Sequence, residues 1–165
     1  MLAQIFDAGI RAAYRVAYKL MRTWWFIRRP RQEGAVVAVW HGRQILLIKN
    51  SYRKCWGLPG GSCHRDEHPQ VTAARELREE VGIDVAPDQL DLSTVITHRS
   101  EFRDEDLPIF ELRVDQQVAF KIDNREVVWA EFVDGREALS LDLYPPIREY
   151  LEEVAERQRH KEAEA

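Results

Sequence analysis

Short runs of β-branched and aliphatic residues alternate with polar segments from residue 34 onward, and each run predicts a β-strand. The predicted strands cover Gly34–Trp40, Gln44–Lys49, a short segment at Trp56, Leu90–His98, Pro108–Val114 and Val127–Val133. The first two are apolar enough to be largely buried, and His41-Gly42-Arg43 forms the turn between them. Trp129 is expected to point inward. The charged stretch Arg99–Asp106 is too polar for a core and is expected to form a loop.

Two further segments show the spacing of apolar positions that is typical of amphipathic helices. The first begins at Pro69, whose ring suits a first helical position, and ends before Gly82, which is expected to form a left-handed C-terminal cap. Its inward stripe is predicted to contain Val71, Ala74 and Leu77, with Ala73 and Val81 beside them. The second helix opens with prolines and carries an apolar stripe of Ile147, Tyr150, Leu151 and Val154.

Residues 2 to about 29 predict a third helix, which is basic and amphipathic. Its basic face is formed by Arg11, Arg15, Lys19 and Arg22. A different face is lined by Leu2, Phe6, Ile10, Ala13, Ala17, Leu20 and Trp24. Charges interrupt the segment too often for a membrane-spanning helix, which needs about 20 apolar residues, and it lacks the pattern of a secretory signal.

Three interpretations of this N-terminal helix stay open. It could pack on the rest of the chain or on a second subunit, which would form a homodimer. Residues 1–29 could instead make peripheral contact with an anionic membrane, with tryptophans at the level of the headgroups. Contact with nucleic acid is the third interpretation.

The length of 165 residues predicts one domain with a single core. We divide the chain into a helical extension (1–31), a main domain (32–156) and a charged C-terminal tail (157–165) that is expected to fray. The net charge of −4 argues against a general nucleic-acid-binding protein but leaves nucleotide substrates open. Cys55 and Cys63 have the spacing of neither a zinc pair nor a redox motif, so two reduced thiols in a cytoplasmic protein are expected.

Three glutamates, Glu76, Glu79 and Glu80, lie within five residues of the helix that begins at Pro69. Residues three and four apart share one helix face, so these carboxylates crowd together and repel one another. A divalent cation would offset the repulsion. Mg²⁺ is the candidate because it prefers carboxylate oxygen, with Mn²⁺ as a possible substitute. The chemistry suited to such a cluster is the attack of water on a pyrophosphate linkage.

The segment around these glutamates resembles the Nudix box, G-x5-E-x7-R-E-U-x-E-E-x-G-U, in which U is an aliphatic residue. Every fixed position is filled, by Gly61, Glu67, Arg75, Glu76, Leu77, Glu79, Glu80, Gly82 and Ile83. His64, Asp66 and His68 differ from residues that are common in the family, but none of them belongs to the fixed pattern. The resemblance implies the α/β (α+β) class, as a Nudix-like α/β/α sandwich with a mixed central β-sheet, to which the N-terminal amphipathic helix is added.

The same resemblance implies the residues of the site. The metal ligands would be Glu76, Glu79, Glu80 and a backbone carbonyl near Gly61, with Asp123 or Glu126 as a further carboxylate. The general base stays open between Glu76, Asp123, Glu126 and Glu101. Glu67 and Arg75 are expected to pair and to hold the loop against the helix, so the residues expected to support catalysis are Glu67, Arg75, Glu76 and Glu80. Substrate contacts are predicted for Arg53, Phe102 and Arg103, for which solvated positions are the alternative.

The implied function is that of a Mg²⁺-dependent Nudix pyrophosphohydrolase, a housecleaning type of enzyme. It would cleave a phosphate-anhydride bond in a nucleoside di- or triphosphate derivative by attack of water. Thr97–Ser100 carry neither the proline nor the tyrosine that marks two nucleotide-specific subfamilies, so the substrate is left open. The alternatives are a catalytically silent nucleotide sensor and a membrane-associated adaptor that uses the N-terminal helix. The expected location is cytoplasmic, with peripheral association at the inner face of a membrane as a variant.

Overall fold

The computed structural model describes residues 2–28, 31–100, 103–116, 118–122 and 124–163. Within these ranges the helices are α1 (Leu2–Arg28), α2 (Pro69–Val81), α3 (Gly135–Ala138) and α4 (Pro145–Ala163), and a 3₁₀ turn covers Pro87–Gln89. The strands are β1 (Arg31–His41), β2 (Gln44–Asn50), β3 (Gly60–Ser62), β4 (Asp91–Ser100), β5 (Arg103–Val114) and β6 (Val127–Asp134). None of the described helices combines the length and the hydropathy needed to cross a bilayer.

The strands form one mixed sheet in the order β4-β5-β1-β2-β6, and β3 pairs with β1 outside this path. β1 and β5 are parallel, with Val36 opposite Ile109. The other described strand pairs are antiparallel. The β1–β2 hairpin turns at the predicted place, with Trp40 opposite Ile45.

Helices cover both faces of this sheet, because alternate residues of β1 enter two different apolar clusters. One cluster contains Val36, Ala38 and Trp40 and includes Ile147, Tyr150, Leu151 and Val154 of α4. The other contains Ala35, Val37 and Val39 and includes Ala73, Ala74, Leu77 and Val81 of α2. The α/β/α sandwich with a mixed central sheet is therefore confirmed.

The charged stretch predicted as a loop lies largely in strands. β4 continues to Ser100 and β5 begins at Arg103, and these two residues are paired. Backbone hydrogen bonds between neighbouring strands can extend a ladder whatever the side chains carry. The charge of Arg99–Asp106 was therefore a poor guide to its backbone conformation.

Four smaller predictions also need correction. The third strand lies at Gly60–Ser62, whereas Trp56 forms an isolated bridge with Leu143. Trp129 on the edge strand β6 is 55% exposed, and Val71 on α2 is 45% exposed. The tail expected to fray from residue 157 continues α4 as far as Ala163.

Candidate active site

β3 brings a glycine turn directly against the central strand of the sheet. Gly60 pairs with Val36 and Gly61 with Ala35. Gly60 has a φ of 152°, and a Cβ atom there would overlap the carbonyl oxygen of Ala35. A Cβ atom on Gly61 would lie 2.5 Å from Oε1 of Glu76. The two glycines therefore allow a carboxylate of α2 to lie directly on the backbone of the turn.

Local sequence signals determine both ends of α2. Pro69 occupies the first helical position, and Nδ1 of the N-cap residue His68 accepts a hydrogen bond from the Gln70 N–H at 3.3 Å. Gly82 ends the helix in the left-handed conformation with a φ of 70°, as predicted. Asp66 in the preceding loop also has a positive φ, 62°, which aspartate tolerates better than most residues. The loop and helix thus form without the residues that are common in the family at positions 66 and 68.

Arg75 connects this loop to the acidic face of α2. Its Nε and Nη2 atoms donate to Oε1 and Oε2 of Glu67, both at 3.0 Å, so the predicted bidentate pair is present. Its Nη1 atom donates to Glu76 at 2.7 Å and to Glu79 at 3.3 Å. Hydrogen bonds from Arg75, and then from the backbone N–H of His64, lower the pKa of Glu67 to about 2. One guanidinium therefore donates hydrogen bonds to three carboxylates and offsets part of their repulsion.

Glu80 is the most enclosed glutamate of the box, with 5% of its surface exposed. Its carboxylate accepts hydrogen bonds from the Gly60 N–H at 2.8 Å and from Nδ2 of Asn50 at 3.2 Å. Burial raises the pKa of Glu80 well above its usual value, and the charge of Glu126 adds to the rise. Burial also raises the pKa of Glu76. A bound cation would favour the charged form of both groups.

A cavity of ≈ 430 Å³ opens beside these residues, and one end of it is acidic. Glu76, Glu79 and Glu126 line this end together with the glycine turn. Across the described part of the chain, no three acidic, histidine or cysteine side chains converge as a ready metal cage, and Glu76 and Glu79 are turned toward Arg75. The donor set nevertheless fits Mg²⁺, because Glu76, Glu79 and Glu126 line one cavity and Mg²⁺ binds carboxylate oxygen while it keeps several of its waters.

The other end of the cavity is aromatic. Its rings belong to Tyr14, Tyr18, Tyr52, Trp56 and Tyr144. Tyr52 also donates a hydrogen bond to Oε1 of Glu126 at 2.8 Å, so the two ends are directly connected. Four of these aromatic residues were not predicted as part of the site: Tyr14, Tyr18, Trp56 and Tyr144. The one signal in the sequence was the spacing of Tyr14 and Tyr18, which are one helical turn apart.

Of the residues predicted to contact substrate, one lines the cavity and the others lie outside what the structure describes. Arg53 lines the cavity, and its guanidinium carbon lies 4.7 Å from the ring centre of Tyr144 and 5.8 Å from that of Tyr18. Arg103 begins β5, but its side chain lies outside what the structure describes. Three other predicted residues lie outside the described part of the chain: Glu101, Phe102 and Asp123.

Comparison with known proteins agrees with this fold and with the box. The protein-family model of the NUDIX domain matches residues 30–154, so the chain belongs to the NUDIX domain family. The crystal structure of the MutT protein from Methanosarcina mazei Go1 is similar with a TM-score of 0.69, over 79% of this chain and 97% of that one. The two sequences are 20% identical, so this likeness concerns the fold alone.

Two relatives from Bacillus subtilis (strain 168) are similar in sequence. The chain is 36% identical over 62 residues to the candidate ADP-ribose pyrophosphatase YjhB, and this match covers 38% of this chain and 29% of that protein. It is 36% identical over 74 residues to a candidate 8-oxo-dGTP diphosphatase, and this match covers 44% of this chain and 48% of that protein. The match therefore spans less than half the length of either relative.

Proposed function

We propose that this chain is a Mg²⁺-dependent hydrolase that cleaves a phosphate-anhydride bond in a nucleoside di- or triphosphate derivative. The observation that carries the proposal is a single cavity with two chemically different ends, one acidic and one aromatic. Carboxylate oxygens suit a hard cation that accompanies phosphates, and aromatic rings suit a planar base. Membership of the NUDIX domain family supports the same reaction class.

In the proposed reaction a water oxygen attacks one phosphorus atom, and the bond from that phosphorus to the bridging oxygen breaks. The bridging oxygen leaves with the second phosphate. When bound, Mg²⁺ (or Mn²⁺) supplies positive charge that offsets the repulsion between the phosphates and the incoming water. The proton of the water passes to a carboxylate, for which Glu76 and Glu126 are the described candidates. Glu101 and Asp123 stay as alternatives.

The other residues of the box hold the site in place. Glu76, Glu79, Glu80 and the Gly61 carbonyl would hold the ion. The pairing of Arg75 with Glu67 supports a positioning role, because it connects α2 to the loop that precedes it.

Glu80→Gln is the direct test of this site. A glutamine can still accept the hydrogen bond from Gly60 but lacks the charge that holds a cation, so Mg²⁺-dependent hydrolysis should fall by more than about 100-fold while the fold stays intact. Coupled phosphate release from nucleotides, sugar nucleotides and dinucleotides would be measured with Mg²⁺, and circular dichroism would check folding. Glu153→Gln, on the exposed side of α4, is the control. Near-normal turnover by Glu80→Gln would contradict the assigned site.

ADP-ribose and 8-oxo-dGTP are the first substrates to test, because the two relatives carry those names. Both compounds combine a planar base with a phosphate anhydride, as the two ends of the cavity require. A catalytically silent sensor would instead bind a nucleotide tightly and release no product from any compound. The presence of all the box glutamates supports the enzyme over the sensor.

We propose a second function for the outer face of α1, which is contact with an anionic membrane. Val16, Leu20 and Trp24 lie one turn apart and are each more than half exposed, and Lys19 and Arg22 are exposed as well. An apolar stripe beside cations suits the headgroup region of a bilayer. The protein would then lie at the inner face of a membrane as an adaptor. The thiols of Cys55 and Cys63 support a cytoplasmic location for either function.

Sedimentation with lipid vesicles tests the membrane proposal. Vesicles rich in phosphatidylglycerol should carry the wild type into the pellet, whereas Leu20→Glu should stay in the supernatant. Phosphatidylcholine vesicles should carry down neither. Equal recovery of both proteins on the anionic vesicles would contradict the proposal, and a concentration-dependent rise in mass without vesicles would indicate a homodimer through this face.

A further inference from the structure

α1 contacts the loop that follows β2, and Asp7 near its start also pairs with Nε of Arg125 at 3.4 Å. Nε of Arg15 donates a hydrogen bond to the carbonyl oxygen of Ser51 at 3.1 Å. The rings of Tyr14 and Tyr18 lie 6.4 Å and 4.8 Å from the ring of Tyr52, at interplanar angles of 26° and 37°. The helix therefore packs on residues 51–52 through a cluster of three aromatic rings.

Residues in this loop and directly before it donate hydrogen bonds to two of the acidic residues of the site. Asn50, directly before it, donates to Glu80 at 3.2 Å. Tyr52, within it, donates to Glu126 at 2.8 Å. α1 is therefore connected to the carboxylates that we assign to metal binding and catalysis through two successive contacts, the first from α1 to the loop and the second from the loop region to Glu80 or Glu126.

The inner face of α1 forms a wall of the cavity. That wall is made by Tyr14, Ala17, Tyr18 and Met21. The cavity is also lined by Trp56, Leu107, Tyr144 and Ile147. A helix that only covered the core would place its largest inward side chains in an apolar cluster, but Tyr14 and Tyr18 belong to neither cluster described above. Without α1, the aromatic end of the cavity would be open on one side.

We propose that α1 completes the substrate site and that Tyr18 binds the planar base of the nucleotide by stacking on it. This inference rests on the proposed function, because it assigns the aromatic end of the cavity to one part of that substrate. Tyr18 is the central residue of the wall, since its ring lies 4.8 Å from that of Tyr52 and its hydroxyl accepts a hydrogen bond from Nε of Arg53 at 3.4 Å. Arg53 in turn lies over Tyr144, so the surroundings hold the Tyr18 ring in position.

Nucleoside monophosphates are suitable probes, because they carry the base and one phosphate but no anhydride bond that could be hydrolysed. AMP, GMP, CMP and UMP would be titrated into the 165-residue chain by calorimetry. Ribose 5-phosphate, which lacks the base, is the matched ligand. The wild type should bind at least one of the four more tightly than ribose 5-phosphate.

Three variants separate stacking from support of the fold. Tyr18→Ala should weaken binding of the preferred monophosphate by about tenfold, because stacking of one base on an aromatic ring contributes that order of affinity. Its affinity for ribose 5-phosphate should not change. Tyr18→Phe keeps the ring and should restore the preference for the base. Leu20→Ala, two residues away and 67% exposed, should behave as the wild type.

Kinetics provides the second measurement once a hydrolysed substrate is known. Tyr18→Ala should raise KM about tenfold and leave kcat within about twofold of the wild type, because stacking binds the ground state and the transition state equally.

Equal affinities of Tyr18→Ala and Leu20→Ala for the monophosphate would overturn the inference, as would a wild type that binds ribose 5-phosphate as tightly as every monophosphate. Tyr18-dependent binding without hydrolysis of any anhydride would uphold the inference and remove the hydrolase. Hydrolysis that is insensitive to Tyr18→Ala would uphold the hydrolase and remove the inference.

Discussion

Arg75 shows how one residue makes an acidic helix face compatible with a folded chain. Glu76 and Glu79 lie on the same side of α2 and would repel each other, but Nη1 of Arg75 donates to both. The remaining edge of the guanidinium engages Glu67 in the loop. Lysine has no planar fork and could not reach these three carboxylates in this arrangement. The arginine therefore both connects loop to helix and limits repulsion where no cation is bound.

Gly61→Ala is the sharpest prediction for a single backbone position. The new methyl group would lie 2.5 Å from Oε1 of Glu76, so that carboxylate must move away from the turn. We expect the Mg²⁺ requirement to rise and kcat/KM to fall by about 10- to 100-fold. Mg²⁺ titration of the hydrolysis rate would measure both effects.

Gly57→Ala is the matched control for this change. Gly57 lies in the same cavity wall, but a Cβ atom there would meet nothing within 4 Å. Its kinetics should stay close to those of the wild type. If the two alanine variants had the same metal dependence, close approach at Gly61 would not be important for the site.

Among the elements, α4 is connected to the sheet by a polar network inside an otherwise apolar layer. Nε1 of Trp40 on β1 donates to the hydroxyl of Tyr150 on α4 at 2.9 Å. That hydroxyl donates to Oε1 of Glu111 on β5 at 2.8 Å, and Ser93 on β4 donates to the same oxygen at 2.9 Å. Three strands and one helix are therefore held in register by one tyrosine hydroxyl and one carboxylate.

Tyr150→Phe should destabilise the protein by about 1–3 kcal/mol, because the indole N–H of Trp40 loses its acceptor and Glu111 loses a donor in a buried place. Urea unfolding followed by circular dichroism would measure the change in free energy. Trp129→Phe, at an aromatic position that is 55% exposed, should stay within about 0.5 kcal/mol of the wild type. Equal effects of the two substitutions would mean that the network contributes nothing to stability.

At the scale of the whole molecule, the pairing of Glu67 with Arg75 connects stability to pH. The pKa of Glu67 falls from its usual value of 4.5 to about 2. A lowered pKa in the folded state contributes stability that is fully present above the unfolded pKa and is lost as the pH falls through the folded pKa. The contribution of this carboxylate should therefore disappear between about pH 4.5 and about pH 2.

Glu67→Gln tests this dependence directly. At neutral pH the variant should unfold at a lower urea concentration than the wild type, and the difference should shrink as the pH falls toward about 2. Glu152→Gln, on the exposed side of α4, is the matched control for the loss of one carboxylate. A gap between wild type and Glu67→Gln that stayed constant down to about pH 2 would contradict the assignment.

Local patterns predicted most of the fold correctly. The helix from Pro69 with its left-handed cap at Gly82, the β1–β2 hairpin and the stripe of α4 all follow from short-range spacing, and the structure contains each of them. The errors lie where neighbours in space decide. Trp129 is exposed whereas Val127 and Phe132 on the same strand are buried, and Arg99 and Arg103 extend two strands because each backbone finds a partner.

The sequence by itself determined the acidic cluster and its arginine, because residues three and four apart in a helix must share a face whatever surrounds them. It also determined that a basic amphipathic helix precedes the box. Only the tertiary structure decided where that helix lies. The contacts of Arg15 with Ser51 and of Tyr52 with Glu126 join residues 36 and 74 positions apart. Spacing along a chain carries no record of such contacts, since they exist only once the sheet has brought distant segments together.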